Sequence, residues 1–144
     1  MRKPSTFALC SIIALAAAAC SESSEPGDNT LDGSWTYSAS ATSEHIEGTC
    51  TATGSIELDQ SGAVLGGDSD GDFTCTGPAG TLTESAEGTI EGTVNGSAVF
   101  IDAEDCTYTG TIDSENAMSG TVECAVEIDE TTYPFSGTWT AARQ

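Results

Sequence analysis

The chain has almost no basic residues. Lysine and arginine together number 3 among 144 residues, against 23 aspartate and glutamate residues, so the formal net charge is -20 at pH 7. A surface of this sign repels phosphate backbones, which argues against a nucleic-acid partner. The acidic residues are scattered rather than clustered, a pattern that favours a surface kept hydrated in a salty medium over a surface that binds cationic partners.

The residues that most enzymes use are also scarce. His45 is the single histidine, and no Cys-x-x-Cys pair occurs, so a zinc site is disfavoured. No nucleophile with an adjacent base and no phosphate-binding loop can be identified. We therefore predict that the protein is not an enzyme, and we assign no catalytic residue.

Large apolar side chains are few, and an acidic chain of this composition can be disordered. Those that are present nevertheless alternate with polar residues. From Cys50 to Asp59 the even positions hold Cys, Ala, Gly, Ile and Leu, whereas every odd position is polar. This period of two is the signature of a β-strand with one buried face, and it favours a folded domain.

The one long apolar run lies at the amino end. It covers residues 7–19, follows a basic start and is too short to span a bilayer, so residues 1–19 are predicted to be a secretory signal. The run ends in Ala-Ala-Ala-Cys20, which resembles the lipobox of bacterial lipoproteins. That resemblance implies cleavage before Cys20 and a lipid on its thiol, and cleavage by the ordinary signal peptidase is the alternative.

Residues 20–30 would then join the anchor to the domain. Beyond Cys20 the segment has no large apolar residue and is typical of a flexible tether. Ser21, directly after the anchor cysteine, resembles the lipoproteins that are sent to the outer membrane. The sequence therefore predicts a protein of the bacterial cell envelope, attached to the outer membrane through its lipid.

Residues 31–144 are predicted to form one all-β domain. About eight short strands separated by turn residues, with no helical stretch, are typical of an antiparallel up-and-down meander. Asn95-Gly96 predicts a hairpin turn in which Ile90 faces Ile101 and Phe100 points outward. A closed barrel is favoured over a β-sandwich because glycines, which let strands coil tightly, alternate in step with the apolar residues and so lie on the predicted inner face. They are at positions 54, 92, 110, 120 and 137.

Four cysteines lie in this predicted domain, an even number that indicates disulfides in an exported chain. One pair follows from register. If Ile112 faces Met118 across a turn, then Cys106 faces Cys124 on the face that carries the apolar side chains.

The remaining two cysteines, Cys50 and Cys75, would join the arms of the preceding hairpin. With its turn at Ser61-Gly62, this pairing needs a bulge at Gly66-Gly67 to shift the register. Each of the two disulfides would stabilise the domain by ~3 kcal/mol, which offsets a thin apolar core.

Aromatic residues make up only 6% of the chain, yet most of them fall on the predicted inner face. They would either line a pocket for a small apolar ligand or simply fill the core. Two functions follow: a binding module for a small apolar molecule, or a structural or interaction protein of the envelope. The predicted lining residues are Tyr37, Phe73, Tyr108, Tyr133, Phe135 and Trp139.

One acidic stretch is a secondary candidate for calcium. Asp68, Asp70 and Asp72 alternate around Gly71, which resembles the start of calcium-binding loops. The EF-hand pattern fails because Phe73 stands where glycine is required. No other cofactor is predicted.

A family resemblance rests on two short features. Gly33-Ser34-Trp35 is similar to the G-x-W motif in the first strand of calycins, the group that contains lipocalins, fatty-acid-binding proteins and avidins. In that group a basic residue after the last strand packs over this tryptophan and closes one end of the barrel, a place that Arg143 would take here. The resemblance implies a ligand-binding barrel over residues 31–143. The chain also resembles small bacterial lipoproteins of unassigned role, which would imply no ligand.

Overall fold

A computed structural model describes residues 30–128 and 130–144. The predicted signal, Cys20 and nearly all of the predicted tether lie outside the described residues. Those described contain no helix, and hence none that is long and apolar enough to cross a membrane. They form eight strands: β1 (Gly33–Thr42), β2 (Thr49–Ser61), β3 (Val64–Gly77), β4 (Gly80–Asn95), β5 (Ala98–Ala103), β6 (Cys106–Ser114), β7 (Ala117–Ile128) and β8 (Thr131–Arg143).

The eight strands form a closed antiparallel barrel in which each strand pairs with its neighbours along the chain and β8 returns to β1. The predicted up-and-down meander is confirmed, and the sandwich alternative is wrong. Short connections account for the order, because strands joined by tight turns pair with each other most readily. Closure leaves two ends, one at the start of β1 and the other at the β1–β2 loop.

One face of each strand supplies the core, as the period of two predicts. Trp35, Leu65, Met118 and Val122 are almost completely buried, and no polar or charged residue is buried within the described ranges. Several glycines of the inner face lie against a neighbouring backbone. A Cβ on Gly137, for example, would overlap the carbonyl oxygen of Ser40. The barrel is therefore narrow where these glycines lie.

The β6–β7 hairpin has the predicted register. Cys106 lies opposite Cys124, and Ile112 lies opposite Met118. Each of these pairs points inward, so one alternation pattern brings the two half-cystines together.

The predicted bulge at Gly66-Gly67 is wrong. The β2–β3 hairpin turns at Gly62-Ala63, one residue later than predicted, and Cys50 then faces Cys75 with no shift anywhere along the pair. Moving a turn by one residue moves every opposing position by two. The later turn therefore brings Cys50 opposite Cys75 without a bulge.

The predicted register of β4 with β5 is also wrong. The turn is Gly96-Ser97, so Asn95 stays in the strand and Ile101 faces Gly92 instead of Ile90. Gly96 adopts a φ of 62°, which suits a glycine at the first position of a two-residue hairpin turn. A displacement of two positions preserves the inner and outer faces, and Phe100 accordingly points outward, as predicted, and is 42% exposed.

Unequal strand lengths leave the wall of the barrel incomplete on one side. β4 has 16 residues and pairs with β3 throughout, whereas β5 has 6 residues and covers only the segment from Glu91 to Asn95. The preceding part of β4 therefore projects beside β3, and no strand within residues 30–128 and 130–144 pairs with its other side.

Candidate functional site

The end of the barrel where β1 begins is sealed by Arg143. Its guanidinium lies 4.6 Å above the ring of Trp35, whose own Nε1 donates a hydrogen bond to the carbonyl of Leu31 at 2.9 Å. The guanidinium also donates to the carbonyls of Glu115, Asp32 and Thr30. The structure thus places Trp35 and Arg143 together, in the arrangement that the calycin resemblance implies.

The interior is nearly filled. Two cavities lie inside the wall, each of about 40 Å³. Sites for drug-sized ligands have volumes of roughly 300 to 1,000 Å³, so neither cavity accommodates such a molecule. Among the predicted lining residues, Phe135 and Trp139 are buried in the core, whereas the other four pack against the core and are partly buried: Tyr37, Phe73, Tyr108 and Tyr133.

The two inner tyrosines of the first cavity are electrically neutral. The edge of the Tyr108 ring meets Trp139 at right angles, with a centroid distance of 5.9 Å. Burial, and secondarily the nearby Tyr37, raises the pKa of Tyr108 to about 12. The pKa of Tyr37 is raised by burial first and then by the charges of Asp70 and Asp72. Both hydroxyls are therefore uncharged at neutral pH.

Both predicted disulfides are present. Cys50 is bonded to Cys75 and Cys106 to Cys124, with Cα–Cα distances of 4.0 and 4.1 Å. They link the β2–β3 and β6–β7 hairpins on the inner side, and three of the four cysteines line the second cavity. The two disulfides thus link strands in the half of the barrel that is farthest from Arg143.

The opposite end carries an open, mostly apolar hollow of about 540 Å³, which we call the cup. Leu82 and Ile128 lie at its rim, 56% and 40% exposed. Its floor includes Phe135 and the disulfide between Cys50 and Cys75. The other lining residues belong to the β1–β2 loop, including Ile46, to the turn from Gly77 to Gly80, and to the adjoining strand ends, where Thr49, Thr76 and Thr81 lie.

Sequence reasoning missed the cup. Of its apolar lining, only Phe135 was predicted to contact a ligand. Leu82 follows the glycine-rich turn, and Ile128 ends a predicted strand, but an apolar residue at a strand end gives no sign of which other ends lie near it. The only signal in the sequence is weak. Leu82 and Ile128 both occupy positions that alternation assigns to the inner face, although the residues around them are polar.

A second hollow, of about 1,000 Å³, lies on the outer face of β2 to β5. The exposed Val64 and Phe100 contribute its apolar part, and Asp59, Glu91 and Asp102 contribute carboxylates. It is more open than the cup, and its lining also includes Asp32, which precedes β1, and the core residues Leu65 and Ile90.

The candidate calcium loop is not a loop. Asp68, Asp70 and Asp72 lie in the middle of β3, exposed on the outer face, where successive outward side chains spread along the strand instead of converging. Asp72 accepts a hydrogen bond from Ser85 on β4, with an oxygen–oxygen distance of 2.7 Å. Within the described residues, no group of three or more His, Cys, Asp or Glu side chains is arranged to hold a metal ion.

Comparison with known proteins yields one similarity, at the level of the fold. No protein-family model matches the chain, and no curated protein sequence matches it. Among solved structures it is similar to an S-type phycobiliprotein lyase from Guillardia theta, with a TM-score of 0.45 and 8% sequence identity, over 79% of this chain and 88% of that one. A likeness this distant says nothing about function, which has to be argued from the residues of this chain.

Proposed function

We propose that the protein is an exported, lipid-anchored component of the bacterial envelope that binds a small apolar molecule in the cup. The observation that carries this proposal is the apolar hollow of about 540 Å³ at the open end, a volume within the range of small-molecule sites. The proposed ligand thus binds at the mouth of the barrel. The space between the inner aromatic side chains is too small, because each of the two inner cavities has a volume of only about 40 Å³.

The lining of the cup indicates the chemistry of the ligand. Leu82, Ile128 and Phe135 offer apolar contact, and Glu47 supplies the one charged side chain of the lining. A net charge of -20 also repels anions from every direction. A neutral apolar molecule fits this site better than a fatty acid with a free carboxylate.

The described chain enters the barrel at the end opposite the cup. The described chain enters the barrel beside the sealed end, where the backbone of Leu31 donates a hydrogen bond to the side chain of Gln60. A lipid on Cys20 would therefore attach the protein by its sealed end. The cup would be accessible to a small molecule in the periplasm or on the cell surface.

The binding proposal can be tested with the neutral fluorescent probe N-phenyl-1-naphthylamine. The mature protein should enhance its fluorescence saturably, and Leu82→Asp should weaken binding at least about tenfold, because a carboxylate at the rim must be desolvated. Val64→Asp is the matched control, since Val64 is 62% exposed and lies far from the cup. Equal affinity for the wild type and Leu82→Asp would contradict binding in the cup.

The nearly filled interior supports a second candidate, a structural or interaction protein of the envelope that holds no ligand. Native mass spectrometry of protein purified from membranes separates the two candidates. A co-purifying apolar molecule that Leu82→Asp removes supports the binding function. A clean apoprotein mass, together with no binding of the probe, supports the second candidate.

The anchor needs its own experiment. Globomycin, or Cys20→Ser, should cause the unprocessed precursor to accumulate, because signal peptidase II acts only before a lipid-modified cysteine. Normal processing under either condition would contradict lipidation, and would leave the binding proposal untouched.

A further inference from the structure

The projecting part of β4 presents a free sheet edge. From Gly80 to Ile90 the strand pairs with β3 on one side and with no strand of the described chain on the other. An exposed row of unpaired N–H and C=O groups is a template for a further strand, and proteins that leave such an edge uncovered often use it for binding.

The hydrogen-bonding groups at this edge can be assigned to particular residues. The two-residue turn between β3 and β4 makes Gly77 and Gly80 a hydrogen-bonded pair, and in an antiparallel ladder such pairs alternate with non-bonded ones. The even residues of β4 therefore bond to β3. The odd residues from Thr81 to Thr89 direct their N–H and C=O groups outward, and among them Ser85 lies at the centre of the edge.

The side chains of the edge leave Thr81–Glu87 uncovered, whereas the side chain of Glu104, in the turn between β5 and β6, lies beside Gly88. Apart from Leu82 they are short, polar or acidic, and all residues from Thr81 to Glu87 are exposed. Glu84 lies on the inner parity and Glu87 on the outer one, so each face of the projecting strand carries one carboxylate. No basic residue lies in β4 or in the strands next to it.

These charges decide which strand can be added. Pairing of β4 with the same strand of a second copy would place Glu84 and Glu87 of two strongly acidic chains together, which disfavours self-association. Residues 20–30 are disfavoured as the added strand for the same reason, because their charged residues are Glu22, Glu25 and Asp28. A basic strand is the occupant that the edge favours.

We propose that β4 is a docking edge for an extended basic segment of a partner protein, which adds as an antiparallel strand beside Thr81–Glu87. The backbone of the odd residues would hold it. Because Glu84 and Glu87 are three positions apart and face opposite sides, the segment would carry two basic residues three positions apart, one on each face. This inference does not depend on the cup being a ligand site.

A synthetic peptide provides the probe. The sequence T-V-K-V-T-K-T-V-T, of about nine residues as in a common strand, places a lysine opposite each glutamate when it pairs antiparallel with the edge. We expect saturable binding that weakens as salt rises. The same peptide with both lysines replaced by glutamate should not bind, and equal binding of the two peptides would overturn the proposal.

Amide hydrogen exchange by NMR locates the peptide. In the free protein the amides of Thr83, Ser85 and Glu87 should exchange rapidly, while those of Glu84 and Ala86 are protected by β3. Binding should protect the first three. Protection elsewhere, with these three amides still exchanging rapidly, would place the peptide on another surface and overturn the proposal.

Two pairs of variants test the backbone and the charges. Ser85→Pro removes one outward N–H and should weaken peptide binding at least about tenfold, whereas Ser85→Ala loses the same side chain and should change it no more than about twofold. Glu87→Gln should weaken binding and flatten its salt dependence, whereas the exposed Glu123→Gln on β7 should do neither. If Ser85→Pro fails to fold, the exchange pattern of the wild type decides.

One further outcome would also overturn the proposal. If sedimentation shows a dimer that Ser85→Pro dissociates, then a second copy of the chain fills the edge, and the charge argument is wrong. A monomer that binds the lysine peptide at Thr83, Ser85 and Glu87 supports a basic partner strand.

Discussion

At the scale of single residues, Arg143 has an unusual place in so acidic a chain. It contacts the Trp35 ring and three backbone carbonyls, and it forms no ion pair with a side chain in the described part of the protein. The planar shape of the guanidinium and its several N–H donors contribute more to these contacts than its charge does. A planar guanidinium can stack on indole and donate hydrogen bonds to several carbonyls at the same time.

Arg143→Lys should therefore destabilise the barrel although the charge is kept. We expect the free energy of unfolding to fall by about 1 to 2 kcal/mol, since the stacking and at least two of the hydrogen bonds are lost. Urea denaturation followed by tryptophan fluorescence measures the change, in low and in high salt. A loss that disappears in high salt would mean that general attraction to the acidic surface, not the local contacts, accounts for the effect.

The inner tyrosines predict a loss of stability in strong alkali. The pKa of Tyr108 rises from 10.0 to about 12 on folding, so above pH 10 the unfolded chain releases this proton while the folded protein retains it. Stability should be insensitive to this group below pH 10 and should fall by roughly 2 to 3 kcal/mol between pH 10 and pH 12. Urea midpoints for the wild type and Tyr108→Phe give the test, and parallel declines in the two would contradict it.

Sequence alone placed these residues on the inner face but not their surroundings. Alternation along each strand assigns Tyr37, Tyr108 and Trp139 to one side of the sheet, which the structure bears out. It cannot say how much space remains between side chains that come from different strands. Alternation therefore does not distinguish a filled interior from a pocket, whereas the two inner cavities of about 40 Å³ do.

At the scale of strands and hairpins, the glycines of the inner face set how closely neighbours approach. Gly137 on β8 lies so close to β1 that a Cβ would overlap the backbone at Ser40 and Ala41. Gly66 on β3 has open space at the same position. Two glycines in comparable strands thus have opposite constraints.

Gly137→Ala should destabilise the barrel by about 3 kcal/mol or more, because backbone atoms have to move to admit the methyl group. Gly66→Ala should lie within about 1 kcal/mol of the wild type, since alanine there meets nothing and restricts the unfolded chain. Thermal unfolding of the oxidised proteins compares them. Equal destabilisation by both substitutions would show that strand propensity, not close approach, requires the glycine.

Hairpin registers were predictable only in part. The β6–β7 register followed from two inward apolar residues and two cysteines that had to coincide. In the β2–β3 and β4–β5 hairpins the turns were misplaced by one residue, at Gly62-Ala63 and Gly96-Ser97. Such an error shifts the residues that lie opposite each other by two positions, so every side chain stays on its predicted face of the sheet. The alternation of apolar and polar residues predicts only the face, and it is the same for both registers.

At the scale of the whole molecule, the closed barrel was predictable and its two exposed features were not. Short strands, tight turns and inward glycines all favour closure. The cup and the free edge of β4 arise because adjoining strands differ in length, as β4 and β5 do. A strand's own sequence shows where it alternates, but not whether the next strand extends far enough to cover it.

The net charge of -20 makes a last prediction about the molecule as a whole. Carboxylates crowd the outer face without basic partners, and their repulsion should destabilise the compact state when salt is low. The screening length falls from about 30 Å at 0.01 M salt to about 3 Å at 1 M, so the melting temperature should rise by at least about 5 °C over this range.

Screening depends on ionic strength and levels off, whereas salting-out grows with concentration and is stronger for sulfate than for chloride. Melting curves in sodium chloride and sodium sulfate at matched ionic strength should therefore coincide up to a few tenths molar. A melting temperature that is flat in this range, or that follows the identity of the anion from the start, would mean that repulsion between carboxylates does not limit the stability of this barrel.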